Sequence, residues 1–482
     1  PCIFLCHYYI LIYEIKTGLM FWVMQSKTKS ESNLTEQTIN QKMITGKISQ
    51  EFVRFAVPSV FGMLAISSAI VVDGIFIGNF VGAIPLASVN IVMPFITIVW
   101  GIILMFSSGS AVIAGKYLGE NKPNKACDIF SKTAVIVFLA MVLLTIISFC
   151  FTEQIAVMLG AKGETVALST DYLRVLAWFY LGFGFAVLMN FFLRIDGRPS
   201  YAFFGLLSTT IVNIFLDYIF VARFDWGLKG AALATGLAFL VGMLIVLPHF
   251  IGHYGSIKFV RPKGTWAEIP LAAFNGFSEF LTETSAGLIV LMFNWILITH
   301  IGSMGVAAFT VVDYLMYFSL LVFYGVGEGI SPLISVNFGA RKPSRISTFF
   351  KIGLIINLVI ASLATIALLY WTEDMVNIFL NEEDAEIINL ATKIVEIIWP
   401  MLIFAAVNIT LTGYLTGMQC AKQSALIALA RSLVLPVLLV FLFWKFFGFM
   451  YAFYALPISE VCVFIFALFL LKGRLPQELI KN

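Results

Sequence analysis

The chain has 482 residues, of which 60% are hydrophobic and only 12% are charged, and its mean hydropathy is +0.96. Soluble domains carry about 25% charged residues, so this composition excludes an ordinary soluble protein and indicates an integral membrane protein. The formal net charge of +3 is too small to indicate a protein that binds nucleic acid.

Residues 1–46 are predicted to form an N-terminal extension outside the membrane bundle. The first 23 residues are apolar but contain Glu14 and Lys16, and they lack the basic start of a signal peptide. The polar segment that follows Met24 indicates a flexible lead-in. Because the chain starts at Pro1, its native start is left open, and Met24 is one candidate.

Apolar runs of membrane-spanning length begin at Phe52 and alternate with short polar turns. Each run can cross a hydrocarbon core of about 30 Å. None shows the alternation of a transmembrane strand, so we predict an all-α integral membrane protein. The twelve predicted helices cover residues 52–78, 86–115, 130–151, 171–193, 200–222, 228–251, 270–299, 306–334, 349–371, 387–416, 424–446 and 449–471.

An internal repeat with an offset of 220 residues divides these helices into two sets of six. VGAIPLA (81–87) matches IGSMGVA (301–307), and the basic turn GENKPNK (119–125) matches GARKPSR (339–345). Since both basic turns fall on the same side, we predict two lobes related by a pseudo-two-fold axis along the membrane normal. The predicted N-lobe covers residues 47–258, and the C-lobe covers residues 259–482 and ends in a short cytoplasmic tail.

Lysine and arginine are concentrated in the turns on one side of the predicted bundle, and the positive-inside rule places that side in the cytoplasm. The other side has few basic residues and carries the acidic segment TEDMVNIFLNEEDAE (372–386). We therefore predict a multi-pass protein of the cytoplasmic (inner) membrane with both termini in the cytoplasm. The basic side comprises Lys116, Lys122, Lys125, Lys132, Arg194, Arg198, Lys258, Arg261, Lys263, Arg341, Lys342, Arg345, Lys351, Lys422, Lys472, Arg474 and Lys481.

Four polar side chains of the first, fifth and sixth predicted helices are expected at one depth: Asp73, Asn213, Asp217 and Thr235. Asn213 and Asp217 are four residues apart and share a helix face, and the turn RFDWG (223–227) sends the next helix back past them. At 1.5 Å per residue, Asp73, Asp217 and Thr235 each lie about 9 to 12 Å from the outer helix ends.

These four side chains form a candidate site for a proton or a cation. An ionisable group in hydrocarbon is costly and normally faces a partner or a water-filled cavity. Two neighbouring carboxylates favour protonation of one of them, and the same oxygen atoms could hold a monovalent cation. The alternative is that they only join helices by hydrogen bonds. Pro58 lies fifteen residues before Asp73 and frees a backbone carbonyl, so it is a candidate hinge.

Glu279 and Glu283, four residues apart on the seventh helix, are a candidate substrate site or second ion site. The alternative is that both side chains reach toward a helix end. The other acidic residues of the predicted helices are weaker candidates for a functional site. Glu328, within GVGEGISP, is expected near a helix break because glycines and a proline surround it.

The repeat does not extend to the candidate ion site. Residue 293, which corresponds to Asp73 at the offset of 220, is Phe293, and the eleventh helix has no acid to match Asp217. The two lobes are therefore expected to share a scaffold but not a chemistry.

Several functional classes find no support in the sequence. The chain lacks the GxxxxGK[ST] phosphate loop, and it has neither HExxH nor GxSxG, so we predict no ATP hydrolysis and no enzyme activity. No cofactor is expected besides the coupling ion. The six cysteines lack zinc-ligand spacing and are expected to be buried free thiols. His249 and His253 lie beside a basic loop and are interpreted as surface histidines rather than as a metal site.

In these features the chain resembles the multidrug and toxic compound extrusion (MATE) family, in particular its bacterial branch of DinF-like and MepA-like exporters. The resemblance covers about residues 47–475. It rests on Pro58 with VVDGIFIGNFVG (71–82), on GKYLGENKP (115–123), on NIFLDYIF (213–220) with GLKGAALATGLA (227–238), and on GEGISPLISVNFGARKPSRI (327–346).

The resemblance implies a cation-binding group in the N-lobe, formed by Asp73, Asn213, Asp217 and Thr235, with Pro58 as the bending proline of the first helix. It also implies a secondary antiporter that exports amphipathic, often cationic compounds in exchange for H+ or Na+ by alternating access between the lobes. The residues do not choose between the two ions, and they do not name the substrate.

In another branch of the family a set of C-lobe carboxylates does this work. Glu279 or Glu283 would match its seventh-helix member, but no acid matches its tenth-helix member, which favours coupling in the N-lobe. Two alternatives stay open: a lipid-linked precursor flippase of related fold, and a non-transporting membrane sensor or scaffold. The expected partners are amphipathic small molecules and membrane lipid, without nucleic acid or ATP, and the protein is expected to be a monomer.

Overall fold

The computed structural model describes residues 41–252, 254–377 and 385–481. Within these ranges the chain forms helices and no strand. Among these described residues, eleven helices are long and apolar enough to cross a membrane, and a bent pair makes a twelfth span. The prediction of an all-α membrane protein with twelve spans is thus confirmed.

The N-lobe contains the first six spans. They are α1 (Ile48–Phe76, continued by the π-helical turn Ile77–Val81), α2 (Ala83–Gly119), α3 (Pro123–Met158), α4a (Glu164–Ala177) with α4b (Tyr180–Ile195), α5 (Pro199–Asp217, continued by the π-helical turn Tyr218–Arg223) and α6 (Gly227–Ile251).

The C-lobe contains the other six. They are α7 (Glu268–His300), α8 (Ser303–Gly339), α9 (Pro343–Tyr370), α10a (Ala385–Ile398) with α10b (Pro400–Gly417), α11 (Ala421–Leu429, the π-helical turn Ala430–Val434 and Leu435–Phe447) and α12 (Ala455–Leu471). Short helices cover Thr372–Asn377 and Pro476–Lys481, and a 3-10 turn covers Phe449–Tyr454.

Two spans that were predicted as single helices are broken. The fourth span bends by 54° between α4a and α4b. The tenth ends its first part at Ile398 and restarts at Pro400, which is the first residue of α10b. Proline fits the first helical position because its missing N–H would have no partner there, so Pro400 starts a helix where the hydropathy pattern predicted a continuous one. Glu328 shows the opposite error, because α8 runs through it and through Pro332 without a break.

The two basic turns have the same backbone geometry. Asn121 and Arg341, 220 residues apart, have positive φ values of 62° and 54°, and each follows the end of a long helix. Pro123 and Pro343 then start the next helices. A residue with positive φ ends a helix by turning its backbone outward. We call the end of the bundle that carries these two turns the basic end.

The lobes touch closely at the basic end, where α2 crosses α8 at two glycines of the repeat. A Cβ added to Gly119 would lie 2.0 Å from the carbonyl oxygen of Val336, and one added to Gly339 would lie 2.0 Å from that of Lys116. Only glycine lets two helix backbones approach this closely. These glycines therefore bring the lobes together at the basic end.

Each lobe also holds the segment that leads into the other lobe. Arg345 of the C-lobe donates hydrogen bonds to the carbonyl oxygens of Met43 (3.1 Å) and Gly46 (2.8 Å), just before α1. Lys132 of the N-lobe donates to the carbonyl oxygen of Thr265 (2.8 Å), just before α7. The two glycine contacts thus follow the internal repeat, whereas the lead-in contacts are made by residues that do not correspond at the offset of 220. The predicted lobe boundary, between residues 258 and 259, falls in the linker between α6 and α7.

The candidate ion site and the cavity between the lobes

Three helices of the N-lobe bring the four predicted polar side chains together. The Thr235 hydroxyl of α6 donates a hydrogen bond to Asp73 Oδ2 of α1 (3.2 Å) and also reaches the carbonyl oxygen of Ala231 (3.1 Å). Asn213 Nδ2 of α5 donates to Thr235 Oγ1 (3.5 Å). The carboxyl group of Asp217 lies close to that of Asp73.

The two carboxyl groups keep oxygen atoms that no neighbouring donor satisfies. Asp217 is fully buried, and neither of its carboxyl oxygens has a hydrogen-bond partner among the described residues; the same is true of Asp73 Oδ1. Burying a charge without a partner is strongly unfavourable, so this pocket is expected to take up a proton or a small cation when both acids are ionised. A proton could lie between the two carboxyl groups, and a monovalent cation could use the same oxygens.

The local backbone around the pocket has a feature that the sequence patterns did not reveal. Both acid-bearing helices widen into a π-helical turn at the end opposite the basic end: Ile77–Val81 follows Asp73, and Tyr218–Arg223 follows Asp217 directly. Single π-helical turns are frequent at functional sites because they shift the register of a helix face. Tyr172 of α4a, which is also buried, lies near both carboxyl groups and was not singled out from the sequence.

Glu279 and Glu283 lie apart from this pocket, on α7 of the C-lobe. Glu279 lines a cavity between the lobes whose walls come from α2, α4b, α7, α8, α10b and α11. Helices α1, α5 and α6 contribute no lining residue. Among the ion pairs of the described residues, none includes Glu279 or Glu283. The structure thus contains two separate acidic sites.

Two arginines of the cavity were not identified as functional candidates from the sequence. Arg194, counted there as a loop cation, is buried and pairs with Glu328 across the lobe interface. Arg431, in the π-helical turn of α11, donates to Glu460 Oε1 (2.9 Å) and to the Tyr324 hydroxyl (2.7 Å). Arg194 lies at the end of an apolar helix, and Arg431 lies inside one. Counting the charges of each loop cannot show which acidic side chain either arginine contacts.

Several described histidine and cysteine side chains differ in burial from the prediction. His249 is buried, and its Nε2 lies 2.7 Å from Asp196 Oδ2, so its interpretation as a surface residue was wrong; His253 lies outside the described residues. Cys127 and Cys420 are buried free thiols, whereas Cys150 and Cys462 are exposed on helices where burial was predicted. In the described part of the chain, no three His, Cys, Asp or Glu residues form a group that could hold a metal.

The fold and the two acidic sites define the class of protein. It is a multi-pass α-helical membrane protein with two repeat-related lobes and acidic groups buried between helices. The MatE family pattern matches residues 58–219 and 277–442, which lie in both lobes and include Asp73 and Asp217. The chain belongs to the MatE family. The resemblance to MATE transporters that the motifs predicted is confirmed.

Relatives and solved structures are similar along most of the chain. Multidrug export protein MepA of Staphylococcus saprophyticus subsp. saprophyticus is 27% identical over 398 residues, which are 80% of this chain and 85% of that protein. MepA of Staphylococcus aureus strain MSSA476 is 26% identical over 444 residues, or 89% and 96% of the two chains. A solved structure described as the outward-facing conformation of a multidrug resistance MATE family transporter has a TM-score of 0.85 at 20% identity and covers 92% of this chain and 98% of its own. The last similarity supports the two-lobe, twelve-helix fold.

Proposed function

We propose that this protein is a secondary active antiporter that exports amphipathic, cationic small molecules in exchange for H+ or Na+. The observation that carries the proposal is the N-lobe pocket, where Asp73 and Asp217 keep buried carboxyl oxygens without a hydrogen-bond partner among the described residues. Membership of the MatE family and the export activity in the names of the relatives support the transport function. Acidic side chains in the cavity between the lobes support the preference for cations.

Coupling follows from differential binding in this proposal. An ion can drive a conformational change only by the difference between its affinities for the two states. A nearly complete shift between two states requires about 5.5 kcal/mol of differential affinity. A buried pocket with two acids can supply such a difference, because neutralising one carboxylate relieves both desolvation and mutual repulsion. Asp73 and Asp217 lie on different helices, α1 and α5, so the same ion can change how these helices pack.

We further propose that the protein works as a monomer in the cytoplasmic membrane, with the basic end in the cytoplasm. The lysines and arginines of the two basic turns support this orientation through the positive-inside rule. The absence of a phosphate loop from the sequence supports an ion gradient, rather than ATP, as the energy source. In this orientation both termini are cytoplasmic, and the ion pocket lies in the outer half of the membrane.

The test is transport in liposomes that contain the purified protein. Ethidium export is measured under an imposed pH gradient and, separately, under an imposed Na+ gradient, so that the productive gradient identifies the ion. We expect Asp73→Asn and Asp217→Asn each to reduce gradient-driven export at least tenfold.

Asp171→Asn is the matched control. Asp171 lies on α4a and pairs with Lys229 at 3.1 Å, with 40% of its side chain exposed, so its loss should leave export unchanged. Unchanged export by both pocket variants would reject the coupling role. Absence of export by the unmodified protein under either gradient would instead favour a scaffold, or a flippase with a lipid substrate.

A further inference from the structure

An ion pair crosses the lobe interface at the wall of the cavity. Arg194 lies in the last turn of α4b, and its Nη1 donates to Glu328 Oε2 of α8. Only 5% of the Arg194 side chain and 21% of the Glu328 side chain are exposed. The guanidinium also lies 5.5 Å from the centroid of the Phe191 ring. The pair therefore exists only while the two lobes are in contact at this point.

The internal repeat shows that the scaffold does not need charges at this crossing. The turn after α4b matches the turn after α10b at an offset of 222, with the same hydrogen bond from Arg198 N to the Leu193 carbonyl and from Cys420 N to the Leu415 carbonyl, both 2.9 Å. Arg194 therefore corresponds to Thr416.

At the offset of 220 that relates α2 to α8, Glu328 corresponds to Ser108. Ser108 and Thr416 line the same cavity as the ion pair. The repeat thus places two neutral residues at the positions equivalent to Arg194 and Glu328. A charged pair that the scaffold can replace with a serine and a threonine is better explained by function than by folding.

The charges around Glu328 favour a cation. Glu279 lines the cavity with Glu328, and Glu283 lies one turn along α7; both are close enough to Glu328 for electrostatic repulsion. Neither has an ion-pair partner among the described residues. Arg431, the other arginine in the cavity wall, is already bonded to Glu460. A cation in this cavity would therefore meet the carboxyl groups of Glu279 and Glu328, with that of Glu283 one helical turn away, and Arg194 would be its competitor for Glu328.

We propose that Glu328 is a third carboxylate for the cationic group of the exported compound, and that Arg194 displaces the compound from Glu328 when the lobes close at the basic end. The inference rests on the proposed export of cations. When the basic end is open, Glu328 is free of Arg194 and binds the compound together with Glu279 and Glu283. Closure brings Arg194 onto Glu328, lowers the affinity for the compound and promotes its release on the opposite side.

The test is binding of tetraphenylphosphonium, a monovalent amphipathic cation, to the purified full-length protein by equilibrium dialysis. Arg194→Gln removes the competitor and should tighten binding about tenfold, whereas Glu328→Gln should weaken it. In a double-mutant cycle, the gain from Arg194→Gln should disappear when residue 328 is glutamine. Arg198→Gln is the control, because Arg198 bonds to the carbonyl oxygen of Tyr254 outside the cavity.

A second variant keeps the test valid if Arg194→Gln folds poorly. Arg194→Thr with Glu328→Ser copies the neutral residues of the repeat-related position and is expected to fold. It should transport tetraphenylphosphonium with a turnover several-fold lower than that of the unmodified protein, because closure no longer promotes release. Arg194→Gln should lower both kcat and KM. A purely structural role of Arg194 would not produce this combination.

The outcomes separate the two proposals. If the unmodified protein binds tetraphenylphosphonium but Arg194→Gln binds it equally well or more weakly, this inference alone is overturned. An unchanged turnover of the double variant would also overturn this inference alone. If the unmodified protein neither binds nor transports tetraphenylphosphonium, both the proposed substrate class and the role of Glu328 fail.

Discussion

Asp217 shows why an unsatisfied side chain can be useful inside a membrane protein. A charged residue at the centre of a membrane helix costs about 2.5 to 3.5 kcal/mol on insertion scales. A permanent partner such as arginine would reduce this cost, and the chain uses that solution at Glu460, which Arg431 contacts at 2.9 Å. Asp217 and Asp73 have no such cation in the part of the chain that the structure describes. A carboxyl group that is not already neutralised can exchange a proton or a cation.

Thr235 offers a test of how the pocket is held together. Its hydroxyl donates to Asp73 Oδ2 and lies 3.5 Å from Asn213 Nδ2, so it connects α6 with α1 and α5. Thr235→Val keeps the shape but removes the hydroxyl. We expect it to reduce gradient-driven ethidium export by about ten- to a hundredfold, since a lost hydrogen bond to a charged group costs about 1.5 to 3 kcal/mol.

Thr235→Ser is the matched control, because it keeps the hydroxyl and should retain most of the activity. Export is measured in liposomes, and the melting temperature of each variant shows whether the fold is intact. Equal activity of the valine and serine variants would mean that the hydroxyl has no part in coupling.

The residues of the pocket were predictable, but those of the cavity were not. Asp73, Asp217 and Thr235 were placed together because helix rise fixes depth, and depth can be counted from each turn. Arg194 was missed for the opposite reason. Its sequence neighbours place it at a helix end, where a cation is ordinarily solvated, and only the packing of α4b against α8 determines that it meets Glu328.

At the scale of elements, α1 belongs to one lobe but packs against both. On the C-lobe side, a Cβ added to Gly329 would lie 2.7 Å from the Ala56 Cα, and one added to Gly325 would lie 2.6 Å from the Val60 Cα. Pro58 lies between these two contacts. Since proline cannot donate a hydrogen bond to the carbonyl oxygen of Arg54, α1 lacks one backbone hydrogen bond within the segment that packs against the C-lobe.

The proposed hinge makes a prediction about α1. Pro58→Ala restores the missing N–H and introduces a residue with high helix propensity. The protein should therefore fold as well as the unmodified chain or better. Transport should nevertheless fall several-fold, because α1 would resist the bend that separates Val60 from Gly325. Thermal melting and ethidium export, measured on the same preparation, check both parts. Normal transport by this variant would remove bending at Pro58 from the mechanism.

Sequence patterns predicted the number of spans better than their shape. Hydropathy identifies a run long enough to cross the membrane, but it does not register a bend within that run. The break after Ile398 is marked by Pro400, whereas the bend between Ala177 and Tyr180 has no proline or glycine at Trp178 and Phe179. Tertiary packing decides such bends, and a single sequence does not contain that information in a readable form.

At the scale of the whole molecule, the repeat preserves the backbone and changes the chemistry. Phe293, which corresponds to Asp73, is fully buried, and its ring lies 4.9 Å from those of Phe309 and Phe453. The C-lobe therefore fills with aromatic side chains the position where the N-lobe places an acid. The sequence predicted this asymmetry, because a two-fold scaffold requires equal turns and glycine contacts but places no demand on the residues inside each lobe.

The crossing of α2 and α8 provides the last prediction, because it holds the basic end closed. Gly339→Ala would place a Cβ 2.0 Å from the Lys116 carbonyl oxygen, so the two helices must separate. Overpacking of this kind costs about 1 to 3 kcal/mol. The cost applies only to the state that is closed at the basic end, and the variant should therefore shift the population toward an open basic end.

The shift can be measured as a distance between spin labels at Lys122→Cys and Lys342→Cys, which are exposed in the two basic turns, with the six native cysteines replaced. Gly339→Ala should increase the population with the longer distance. Gly287→Ala is the control, because a Cβ at that position of α7 meets no atom within 4 Å. If the distance distributions of the two variants are the same, the glycine crossing does not control closure, and the lead-in contacts of Arg345 and Lys132 become the elements to test.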